Sequence, residues 1–260
     1  MKFGMCIGSD SNKIAVCKKL GYDYVESAFE MLADPKNDEK YDAFQAELKN
    51  NGFSCLSVNC FIPSALKITG PDVDEQALKE YIERGMKRGA ALGVKKVVFG
   101  SGGARKRPEG FSYETAVRQI FSFLTDIVSP IAEKYGILLV IEPLRSGDTN
   151  MIESLREGAV IAAAVNRPNI RLLVDLYHAY YSGDTNDHIR SMTTLLRHAH
   201  IAEPEKRVYP APGDAYPYAD FISALKAAGC DTCSVEARCS DFEKEAADAI
   251  RVLRAADIED

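Results

Sequence analysis

The chain has 260 residues and a formal net charge of -6, a length that fits one (β/α)8 barrel of about 250 residues. The acidic balance argues against a nucleic-acid partner, whose phosphates call for clustered Lys and Arg. No apolar stretch approaches the ~20 residues that cross a bilayer, and the opening MKFGMCIG turns polar too soon for a signal peptide, so no membrane partner is expected.

Apolar runs of strand length alternate with helical patterns eight times. In order they are KFGMCIG, YDYVESA, FSCLSVNCF, KKVVFGS, ILLVIEP, RLLVDLY, RHAHIAE and TCSVEAR. Between them, the i, i+3, i+4 spacing of amphipathic helices is clearest over 74–92, 112–135, 154–165 and 241–255. Gly21, Gly52, Gly93, Gly136 and Gly229 stand just before the next strand, where a helix ends in the left-handed conformation that glycine adopts without steric cost. Eight such units without a linker predict one domain over residues 1–260, a single (β/α)8 TIM barrel. An open doubly wound sheet, with fewer strands and a crevice at its switch point, is the alternative. The seven cysteines are odd in number, scattered and mostly inside apolar patterns, which reads as free thiols in a reducing, cytoplasmic setting. The Cys230–Cys233 pair enters the eighth strand with no second pair or nearby histidine to complete a zinc knuckle, and reads as structural.

In a closed parallel barrel the C-terminal strand ends share one face, where catalytic groups collect. Glu26 and Asn59 occupy inward positions near the ends of strands two and three, as candidate pocket residues. Strand four runs into FGSGGARKRPEG, whose bare amides and cations, Arg105 first among them as a candidate substrate contact, could hold a phosphate or carboxylate, although such a charge run more often lies on a solvated surface. Strands five to eight then close on Glu142, Asp175, His200 and Glu236, spaced 33, 25 and 36 residues apart. Alternation puts Leu138, Val140 and Glu142 on one face, and likewise Leu173 with Asp175, His198 with His200, and Ser234 with Glu236. Three carboxylates and one imidazole at matching heights predict a site for one divalent metal ion. With no thiolate among them the choice among Mn²⁺, Co²⁺, Mg²⁺ and Zn²⁺ stays open.

At these residues the chain resembles the xylose isomerase-like sugar isomerase/epimerase family, nearest to ketose 3-epimerases of the tagatose/psicose type. The segments carrying the likeness are IEPLRSGDTN, VDLYH, HAHIAEPEKR and SVEAR. The resemblance implies that Glu142, Asp175, His200 and Glu236 bind the ion, and that Glu142 and Glu236 are also the acid/base pair. It implies that His178 touches a substrate hydroxyl and that a cation after His200 does too. The family register falls on Lys206, but the arginine of this chain stands one later, and Arg207 is favoured for its directional guanidinium. Asp148 stands where relatives often carry a substrate-binding glutamate, and no tryptophan is present to wall a sugar pocket. Barrels of this group often pair, so a homo-oligomer is an expectation of the resemblance.

Moving a proton at the carbon beside a carbonyl requires a base on one face, an acid on the other and an electrophile for the enediolate oxygen, which a metal ion provides as a Lewis acid. The expected activity is therefore metal-dependent isomerisation or epimerisation of a small sugar or sugar-like substrate. Two alternatives share the fold. An endonuclease-like three-zinc phosphodiesterase needs more histidines than the four present. A non-catalytic sugar-binding barrel would keep the ion and lose the proton transfer.

Overall fold

The computed structural model describes residues 1–257, in which eight parallel strands follow one another around a closed barrel. They are β1 (Lys2–Gly8), β2 (Tyr24–Ala28), β3 (Cys55–Asn59), β4 (Lys96–Phe99), β5 (Leu138–Ile141), β6 (Ile170–Asp175), β7 (Leu196–Ile201) and β8 (Thr232–Val235). Closure comes from β1 against β8, with Gly4 opposite Ser234 and Met5 opposite Val235. The closed parallel order bears out the expected (β/α)8 TIM barrel over the open sheet. No helix among the described residues is long and apolar enough to cross a membrane.

All four of the clearest helices start one residue after a side-chain cap, Ser112 serving the one that begins at Tyr113. Asp74, Ser154 and Asp241 each accept a backbone N–H from the first turn of helices Glu75–Leu92, Leu155–Val165 and Phe242–Ala256, satisfying donors that the helix cannot. The fourth, expected as one run over 112–135, is interrupted. An α-helix at Tyr113–Ser122 widens into a π-helical turn at Phe123–Val128 before resuming at Ser129–Tyr135. Pro130 supplies the reason: it has no N–H for the carbonyl four residues earlier, and its ring would strike that carbonyl. A wider turn accommodates both.

The apolar core divides in two. A continuous shell between sheet and helices contains residues such as Phe3, Phe29, Phe44, Phe61, Phe99 and Phe221. A separate cluster of Val98, Val140 and Leu173 faces into the barrel, on the side predicted for Val140 and Leu173. Much of the remaining barrel interior is polar and fully buried: Glu26, Ser57, His198, His200 and Ser234 have no exposed surface. Such groups are tolerated only when hydrogen-bonded.

Helix Glu75–Leu92 approaches helix Phe29–Ala33 closely because Gly85 has no side chain. A Cβ there would lie 2.2 Å from the Phe29 ring. Gly85→Ala is therefore expected to cost about 1–3 kcal/mol by overpacking, read from the urea midpoint. A loss below about 0.5 kcal/mol would show that Phe29 yields freely.

Candidate metal centre and pocket

The four strand-end residues converge. Asp175 ends β6 and pairs with His200 across β7. Glu142 and Glu236 follow β5 and β8, and their backbone N–H groups still donate to Phe99 and Ile201 carbonyls of the neighbouring strands. All four side chains thus stand on backbone held by the barrel ladder. His200 Nδ1 lies 3.4 Å from Glu142 Oε1, 3.5 Å from Glu236 Oε2 and 3.9 Å from Asp175 Oδ2. One donor atom from each lies within 4.8 Å of all the others. Such separations suit a shell whose donors sit about 2.0–2.2 Å from one ion.

The test of fit is the state of those atoms. Glu142 Oε1, Asp175 Oδ2 and His200 Nδ1 are buried, and none has a hydrogen-bond partner. Three orphaned lone-pair donors aimed at one point would be costly in a protein interior, and a cation satisfies all of them at once. The donor set is oxygen and imidazole nitrogen, which suits Mn²⁺, Co²⁺, Mg²⁺ or Zn²⁺ without selecting one. A second cluster, Cys6 with Glu26 and His200, also gathers within ligand distance. It would compete for the same imidazole, and Glu26 is already fully engaged in hydrogen bonds.

Glu26 lies beneath the centre, away from the pocket where it was expected. Ser57, Ser234 and His198 bond its Oε2 at 2.6, 2.8 and 2.9 Å, and His200 Nε2 bonds its Oε1 at 2.8 Å. Burial pushes this carboxyl up, but His200 and the hydrogen bonds from both imidazoles outweigh it and hold it well below the usual carboxylate range. Because a carboxylate only accepts, His200 donates through Nε2 and turns Nδ1 toward the cluster.

Above the ligands a cavity of about 290 Å³ is lined by Asn59, Cys60, Gly100, Ser101, Gly102, Gly103, Glu142, Leu144, Asp148, His178, Arg207 and Glu236. That is the small end of the range for ligand sites. Of the cluster, Glu142 and Glu236 reach this cavity, whereas Asp175 and His200 are 2% and 0% exposed and lie below it. Asn59 Nδ2 donates to Glu236 Oε1 at 2.9 Å, and Arg207 Nη2 donates to Glu236 Oε2 at 2.8 Å. The Arg207 guanidinium also lies 3.7 Å from Asp175 and 4.7 Å from the Tyr177 ring centroid. Burial pushes the Glu236 carboxyl up, but His200 and Arg207 beside it prevail and take it down to about 2. For Asp175 burial wins and pushes its carboxyl up to about 6.

His178 is buried on the cavity wall. Its Nδ1 accepts the Arg145 backbone N–H at 3.3 Å and stands 3.7 Å from Asp148, which also pairs with Arg145. An imidazole accepting at Nδ1 carries its proton on Nε2 when neutral, which makes the free edge a donor. Of the two cations after His200, Arg207 lines the cavity, while Lys206 is exposed and its backbone N–H bonds Glu203.

Arg105 departs most from expectation. It is fully buried, and its guanidinium donates to the carbonyls of Phe99, Glu142, Met151 and Ile152. It ties the loops after β4 and β5 together with four of its five N–H donors, and it is absent from the cavity lining, so it does not meet a pocket anion. Sequence reasoning also passed over Cys60, Leu144 and the approach of the glycine loop. A Cβ at Gly100 would sit 2.3 Å from Glu142 Oε2, so glycine there leaves room for the carboxylate.

One imidazole alone joins the cluster. His188 lies in helix Asn186–Arg190 and caps its start, and His198 is held between Glu26 and Thr232. The arrangement therefore defines a TIM barrel with a carboxylate-rich candidate cation centre, among the described residues, opening into a small polar cavity. The chain belongs to the xylose isomerase-like TIM barrel family, whose model matches residues 14–256. The D-psicose 3-epimerase of Agrobacterium fabrum is 24% identical over 197 residues, 73% of this chain and 66% of that enzyme, a little under two thirds of its length. Among solved structures, D-allulose 3-epimerase from Methylomonas sp. in complex with D-allulose superposes with a TM-score of 0.85 at 20% identity, over 98% of this chain and 97% of that one. The IOLI protein with a bound zinc atom superposes with a TM-score of 0.71 at 22% identity, over 98% and 96% of the two chains.

Proposed function

We propose that this chain is a divalent-metal-dependent isomerase or epimerase that moves a proton at the carbon beside the carbonyl of a small polyhydroxy compound. The observation that carries the reading is the division of the cluster: its four donor atoms gather at one point, yet Glu142 and Glu236 alone among the four side chains face the cavity. An ion held by Glu142, Asp175, His200 and Glu236 supplies Lewis acidity for the oxygen that becomes anionic as the proton leaves. Glu142 and Glu236 come from strands three apart around the rim and would flank the reacting carbon. One removes the proton and the other returns one from the opposite side. Asn59 and Arg207 bond both Glu236 oxygens and fix its orientation. His178 offers its Nε2–H to a substrate hydroxyl, with Asp148 and Arg145 holding the ring. The similarity to a psicose epimerase, and the superposition on an allulose complex, make free ketoses the first substrates to test.

Elemental analysis after dialysis and re-equilibration with Mn²⁺ tests the foundation. About one tightly held ion per chain is expected, with weaker retention in Glu236→Gln. At a free-ion concentration of 100 times Kd, binding should add about 2.7 kcal/mol to stability, visible as a rise in melting temperature. Three ions per chain would point to phosphodiester chemistry, and none would end the proposal.

A further inference from the structure

A continuous hydrogen-bonded chain of side chains crosses the barrel beneath the candidate centre. Lys96 Nζ lies 2.6 Å from Thr232 Oγ1 and also bonds Asp231 and the Arg197 carbonyl. Thr232 Oγ1 lies 2.9 Å from His198 Nδ1, His198 Nε2 is 2.9 Å from Glu26 Oε2, and Glu26 Oε1 is 2.8 Å from His200 Nε2. Lys96, Glu26, His198, His200 and Thr232 are all buried.

The chemistry at its two charged members orients each link. Lysine can only donate, so Thr232 accepts from Lys96. The Glu26 carboxylate can only accept, so both imidazoles donate to it through Nε2. With that proton on Nε2, His198 Nδ1 accepts, and the remaining Thr232 hydroxyl proton points to it. Ser57 and Ser234 complete the cage around Glu26 as donors, and Tyr24 in turn bonds Ser234 at 2.9 Å. The donors converge on Glu26, with Lys96, Thr232 and His198 pointing toward it in series from the start of β4 and His200 Nε2–H from the other side, which leaves His200 Nδ1 to face the cluster.

We propose that Lys96, Thr232, His198 and Glu26 form a positioning relay that locks His200 in the Nε2–H tautomer, so that Nδ1 is always presented to the cation. The inference rests on the ion site proposed above and adds four residues that touch neither ion nor substrate. Partners of this kind typically matter 10- to 100-fold in metal affinity.

The test uses full-length protein carrying ¹⁵N-labelled histidine and loaded with Zn²⁺, which is diamagnetic. Chelator competition gives the zinc affinity, and nitrogen–proton correlation spectra give the tautomer of each of the four histidines. Expected are Nε2–H tautomers for His198 and His200 in the wild type. Zinc binding should weaken about 10- to 100-fold in Glu26→Gln and to a smaller degree in Thr232→Val, while Thr232→Ser, which keeps the hydroxyl, should bind as the wild type does. If Glu26→Gln does not fold, the Thr232 pair carries the affinity comparison. A wild type that binds no zinc overturns the ion site and the relay together. Zinc bound normally, with His200 protonated on Nδ1 or with affinity unchanged in both Glu26→Gln and Thr232→Val, overturns the relay and leaves the ion site standing.

Discussion

With the ion site saturated, Glu142→Gln and Glu236→Gln should each lower exchange of the substrate proton with solvent by about 10²- to 10⁴-fold, the contribution typical of a positioned acid or base. Both residues are also proposed ligands, so loss of activity alone would not separate the two roles. Asp175→Asn separates them. Asp175 shares the cluster but lies beneath the cavity, 2% exposed, with Oδ1 occupied by the backbone N–H groups of Tyr177 and His178. Its variant should bind the ion more weakly and recover most of its exchange rate as ion concentration rises. The two glutamine variants should stay slow at full occupancy. The measurement is loss of substrate deuterium in water, followed across an ion titration. Recovery of Glu142→Gln and Glu236→Gln alongside Asp175→Asn would leave these glutamates as ligands only, and the proton would need another carrier.

The fold and the four cluster residues were legible because both depend on short-range pattern. Strand length, glycine stops and a two-residue alternation are local, and together they put Glu142, Asp175, His200 and Glu236 at equivalent heights. What lay deeper was not legible. Glu26 alternates inward as expected, but whether it meets the pocket or the barrel floor depends on Ser57 and Ser234 across the interior. These small neighbours leave room for it to bond two histidines. The pairing of His198 and His200 on one face was the available hint. One imidazole served the cluster, and the other needed a partner of its own.

Arg105 exposes the same limit from the opposite direction. In sequence it opens a basic run after a glycine-rich stretch, a pattern that suits an anion but more often belongs to a solvated surface. The deciding partners come from the ends of β4 and β5 and from residues 151 and 152. No local rule connects them. The cation lies above the Phe99 ring, 5.5 Å from its centroid, and desolvation pulls its pKa down to about 10.

Arg105→Met is accordingly expected to be among the most destabilising substitutions in the chain. It fills part of the same volume but leaves the carbonyls of Phe99, Glu142, Met151 and Ile152 without this donor. An unsatisfied buried polar group costs about 1–3 kcal/mol. Phe99 O still accepts from the Glu142 N–H and Ile152 O from Leu144 N–H, so the full penalty does not apply four times. A net loss of about 3–5 kcal/mol follows, equivalent to a fall of roughly 6–20 °C in melting temperature for a barrel of this size. Arg105→Lys keeps the charge but has a single donor atom, which cannot span four carbonyls, and should recover only part of the loss. Because one of the four is the carbonyl of Glu142 itself, metal affinity should fall with stability in both variants. Thermal melts and ion titrations on the same preparations check the pair. A melting temperature within about 2 °C of wild type, the equivalent of about 1 kcal/mol or less, would mean that the two loops hold Glu142 in place without the guanidinium.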